Sequence, residues 1–156
     1  MDKQQLQSIL SYKNEDIISR FVDLFCIDEP EAEDIFNETK KFLYVCQVPG
    51  FFIPDELLII DEMWHNFILF TKEYQKFCKE HFGFFFHHLP ASKQEKENQQ
   101  QLNITAPEKI KAEFHEKLNF VMSQVYDHLG EDTLIKWFKE YPVKYSKANI
   151  TALRKW

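Results

Sequence analysis

Between Leu57 and Phe70 apolar side chains fall on every face of a helical projection, interrupted only by Asp61, Glu62, His65 and Asn66. A helix that is apolar all round must be enclosed by other protein. It is also too short to cross a hydrocarbon layer, which takes about 20 residues. The rest of the chain therefore has to wrap this segment, and no membrane insertion is expected.

What is available for wrapping is helical. Only three glycines occur, too few to supply the positive-φ positions of a set of tight hairpins. Leu6, Ile9 and Leu10, and then Ile17, Ile18, Phe21, Val22 and Phe25, recur at helical spacing, with Asn14 as a cap between two short helices. Asp28 followed by Glu29-Pro30-Glu31 starts a third helix, with acids and proline in its first turn. Its stripe runs from Ala32 through Ile35, Phe36, Thr39, Phe42 and Leu43 to Cys46, and Pro49-Gly50 stops it. Pro54-Asp55-Glu56 opens the central helix. Thr71 breaks or caps it before a helix from Lys72 to Phe82, which Gly83 closes. Ser92 to Thr105 holds almost nothing to bury, so a mobile polar loop is expected there. Pro107 begins a long amphipathic helix closed by Gly130, and a short one from Glu131 to Tyr141 ends at Pro142. These signals predict an all-α, single-domain bundle of about six or seven helices over residues 1–156, long enough to bury a core without disulfides.

Nineteen basic residues against twenty-five acidic ones give a formal charge of -6, and lysines alternate with acids, which argues against a nucleic-acid or anionic-lipid partner. Cys26, Cys46 and Cys78 are odd in number and widely spaced, unlike a disulfide framework or a paired-cysteine zinc site. Together with an N-terminus lacking a secretory apolar core, they point to reduced thiols in the cytoplasm.

Chemistry concentrates between Asp61 and Pro90. Asp61 and His65 stand four apart on the most apolar helix and so share a face. A buried carboxylate or imidazole needs a partner, a water or a metal. Cys78, His87 and His88 follow closely, and a helical hairpin can fold them back over the pair. One reading is a metal site drawn from Asp61, His65, Cys78, His87 and His88, with donors suited to Zn or Fe. If it is catalytic, a metal-bound water is the natural nucleophile. The other is a structural cluster within a protein–protein interaction module, the partner being held by an aromatic His87-His88 flap or by the C-terminal helices. A zinc-protease motif is excluded, because Asp61 stands where His-Glu-x-x-His needs its first histidine. No glycine-rich phosphate loop and no Gly-x-Ser-x-Gly elbow occurs.

The run Asp61-Glu62-Met63-Trp64-His65, followed by Tyr74, Cys78, Gly83 and His87-His88-x-Pro90, resembles the glycine-rich domain-containing protein-like family, as a small member without the glycine-rich tail. The resemblance implies that Asp61, Trp64, His65, Cys78, Gly83 and His88 form one cluster, supported structurally by Tyr74. It implies no particular reaction.

Overall fold

The computed structural model describes residues 1–156 and is all-helical, with nine helices in place of the expected six or seven. The first three are α1 (Lys3–Ser11), α2 (Glu15–Leu24) and α3 (Glu29–Val45), each started by a side-chain cap from Asp2, Asn14 and Asp28 respectively. After a 3-10 turn at Asp55–Leu57 comes α4 (Leu58–Leu69), then α5 (Thr71–Phe82). The helices α6 (Lys93–Thr105) and α7 (Pro107–Leu129) follow. Glu131–Ile135, Lys136–Glu140 and Tyr141–Lys144 form one rod, α8 (131–144), whose middle turn is a π-helix. The last helix is α9 (Lys147–Leu153), capped by Ser146.

Helix α4 lies where its composition requires, packed against α2, α3 and α5. Its buried face, Ile59, Ile60, Met63, Trp64 and Phe67, is the middle of one continuous core of 27 residues. Phe67 is ringed by Phe36, Tyr74 and Phe77, all edge-on with centroids 5.0–5.2 Å away, a geometry that adds to the simple burial of the rings. Phe42 on α3 bridges Trp64 to Trp137 on α8, which joins the C-terminal helices to the same core.

Two helices account for the higher number. The segment expected to be a mobile loop, 92–105, is α6. Ser92 Oγ accepts from the Glu95 backbone N–H and Glu95 accepts from that of Ser92, a complete capping box. Its Gln, Lys and Glu residues are good helix formers, and Gln94–Asn98, Gln99–Asn103 and Lys93–Glu97 pair along it. It buries no residue. The missing apolar stripe thus reported exposure, whereas propensity and capping set the conformation. The second addition is α9. Pro142 also fails to end its helix, because the π turn places it in the first turn of the resumed segment, where a missing N–H leaves no bond unmade.

Polar burial in the core is confined to a few side chains. Glu38 accepts from Trp137 Nε1 at 2.8 Å and from Lys41 and Lys136. Lys40 is 1% exposed and donates to the Leu10 and Tyr12 carbonyls, closing the end of α1. At the far end, Phe25 and Arg154 form an isolated antiparallel bridge that lays the C-terminal residues against the end of α2. No helix is long and apolar enough to cross a membrane.

Candidate metal centre

The site is assembled by a reversal of the chain. Gly83 ends α5 in the left-handed region at φ 76°, its N–H bonding back to Cys78 and Lys79, and this turns Phe84 to Pro90 over the flank of α4. Phe86 packs edge-on against Phe82 at 4.9 Å. Tyr74 then pins the segment: its hydroxyl donates to the Phe86 carbonyl at 2.9 Å while accepting from Trp64 Nε1 at 2.9 Å. Two residues on, the His88 ring lies flat on the Trp64 indole, 4.2 Å between centroids and 16° from parallel. Trp64 and Tyr74 therefore fix where His88 points.

It points at Asp61. His88 Nε2 stands 2.9 Å from Asp61 Oδ1, and His65 Nδ1 stands 3.5 Å from Asp61 Oδ2. The two imidazoles are 4.5 Å apart. One donor atom from each of Asp61, His65 and His88 lies within 4.8 Å of the others. Asp61 Oδ1 and His88 Nε2 are both buried and face each other as a close pair. Burial moves the His88 pKa down, partly opposed by the Asp61 carboxylate. A neutral imidazole is the form that binds metals.

Of the five candidate ligands, three converge. His87 is exposed and turned away, its ring edge-on to Phe85 at 4.9 Å. Cys78 is buried on α5; desolvation raises its thiol pKa, with the Phe86 backbone and Tyr74 hydroxyl opposing. It belongs to the wall of Tyr74 and Phe86, outside the group of three. Helical spacing supplied Asp61 and His65, but which of two adjacent flap histidines faces inward depends on the stacking of His88 on Trp64.

Sequence reasoning passed over the polar residues beside His65. Asn66 is buried, donates to the Ile17 carbonyl and accepts from Arg20 at 2.6 Å. Glu62 accepts from Arg154. Arg20, Arg154, Glu62, Asn66 and His65 line one groove of about 220 Å³ next to the cluster. The available signal was composition: Arg20 and Arg154 are the only arginines in the chain.

A family model described as UCP032817-like matches residues 15–119, from α2 into α7 and across the whole Asp61–His65–His88 cluster. The chain belongs to the UCP032817-like family. That assignment replaces the resemblance to the glycine-rich domain-containing protein-like family. That likeness covered about thirty residues around Asp61 to Pro90 well and the first hundred only loosely, whereas the UCP032817-like match takes in 105 of the 156 residues. The family is uncharacterised and brings no reaction with it. No curated protein and no solved structure matches the chain.

Proposed function

We propose that this UCP032817-like protein binds one divalent metal ion, Zn or Fe, through Asp61, His65 and His88. The observation that carries the reading is the convergence of one donor atom each from Asp61, His65 and His88 within 4.8 Å of one another, with Asp61 Oδ1 and His88 Nε2 both buried and 2.9 Å apart. Buried polar atoms of a folded protein are nearly always satisfied, and a cation between them would satisfy both at once. Ligand atoms on one ion at about 2.1 Å sit roughly 3–4 Å from one another, so the observed spread needs only a small rotation of the half-exposed His65 ring. Two histidines and one carboxylate are a donor set used by catalytic zinc and by non-haem iron, with coordination positions left open. Such an ion, when bound, supplies a Lewis acid and lowers the pKa of a coordinated water.

The chain's own residues hold the geometry. Trp64 backs His88, Tyr74 anchors the flap, and Asp61 both offers a ligand oxygen and orients His65. The experiment is a calorimetric zinc titration of protein carrying no histidine tag: one ion per chain is expected, with heat and stoichiometry lost in Asp61→Asn, which keeps the shape of the site. Absence of binding by the parent protein would refute the reading.

Protein docking by the flap is the second reading, favoured by Phe84, Phe85 and Leu89, which expose 40–80% of their surface beside the cluster.

A further inference from the structure

Both guanidinium groups of the chain line one groove. Arg20 is on α2 and Arg154 follows α9, 134 positions later in the sequence. The pairing of Cys26 N–H with the Leu153 carbonyl and of Lys155 N–H with the Leu24 carbonyl brings them to the same groove. Each is held by a polar side chain of α4: Arg20 by Asn66 at 2.6 Å, Arg154 by Glu62. Each guanidinium has five N–H donors in a fork that matches a carboxylate, so one hydrogen bond apiece orients the groups and leaves donors over. Leu24, Phe25 and Leu69 supply apolar wall, with Leu69 62% exposed on the rim. Across an acidic protein, the groove is a local place where cationic side chains outnumber carboxylates, two to one.

We propose that this groove takes a small organic carboxylate, its charged head between Arg20 and Arg154 and its apolar body against Leu24, Phe25 and Leu69. The inference deepens the metal reading, because His65 belongs both to the cluster and to the groove; the ligand would be presented at the edge of the metal site. Glu62 is the internal competitor. Its carboxylate occupies Arg154 in the free protein, and an incoming carboxylate would take its place.

Phenylacetate is the probe, titrated into the isotopically labelled full chain by NMR, first free of metal and then with zinc. Millimolar binding is expected in the metal-free protein, with shifts centred on Arg20, Leu24 and Asn66. Arg154→Met should weaken it by about tenfold or more, the loss of a bidentate charged contact. Glu62→Gln should tighten it several-fold by freeing Arg154, a gain that mere disruption of the fold cannot produce. Zinc should tighten it further in the parent chain but not in Asp61→Asn. Loss of that zinc effect alone would count against the metal reading and leave the carboxylate groove standing. No shift at the groove in either state, or equal weakening by Glu62→Gln and Arg154→Met, would overturn the proposal. So would inorganic phosphate competing as well as phenylacetate, since the apolar walls would then contribute nothing.

Discussion

Lys40 is the most heavily burdened charge in the fold, and its titration gives a prediction with a sign. Its stem lies in the core and its ammonium meets two backbone carbonyls and the Phe36 ring, but no carboxylate is close enough to form an ion pair. Desolvation, first, and then Lys13 lower its pKa from 10.5 to about 8. Because the folded-state value is the lower one, the unfolded chain binds more protons between these limits, and stability from this group rises with pH across the window from about 8 to 10.5. The destabilising contribution is fully present below pH 8. At about 1.4 kcal/mol per pKa unit, the shift corresponds to at most about 3.5 kcal/mol, of which about 2 kcal/mol should be recovered between pH 7 and 10. Tyr74, Tyr141 and Tyr145, whose pKa values burial raises, pull the other way at alkaline pH by ionising only when unfolded. The clean assay is therefore a difference: urea unfolding of the parent protein and of Lys40→Met at matched pH values. The parent should gain about 2 kcal/mol relative to the variant from pH 7 to 10. A difference that stays flat would refute the argument that the buried ammonium carries an unrelieved desolvation cost.

Three further outcomes follow from particular contacts. Tyr74→Phe removes both the acceptor for Trp64 Nε1 and the donor to the Phe86 carbonyl; it should cost about 1–3 kcal/mol in denaturant unfolding and weaken zinc binding about tenfold or more by releasing His88. Glu38→Ala strands the Trp137 N–H and leaves Lys136 with Asp34 alone, so a loss of about 3–5 kcal/mol is expected by the same unfolding assay. Helix α6, which buries no residue, should exchange its amide hydrogens far faster than α4, and equal protection of the two would contradict its peripheral place.

The fold class was legible because its signals were redundant. The unbroken apolar surface of Leu57–Phe70 demanded enclosure, and Asn14, Asp28 and Gly83 marked boundaries that the structure uses for their expected physical reasons. Helix α6 was missed because periodicity detects burial, and a fully solvated helix has none to detect. The continuation of α8 past Pro142 was missed because a π register makes a helix interior tolerate what an α register rejects. At the site, Asp61 and His65 were visible from spacing within one helix. The choice of His88 over His87, and the turning of Cys78 toward Tyr74 and Phe86, depend on contacts across the chain reversal that no local pattern records. The two arginines needed the C-terminal bridge to bring them beside His65.

Sharing of one ion by Asp61, His65 and His88 is read most directly by anomalous diffraction from crystals of the protein grown with zinc. A single peak bonded at about 2.0–2.2 Å to Asp61 Oδ1, His88 Nε2 and a His65 nitrogen is the predicted result. A zinc-containing crystal with no peak there, or with the ion held by Cys78 or His87 instead, would contradict it.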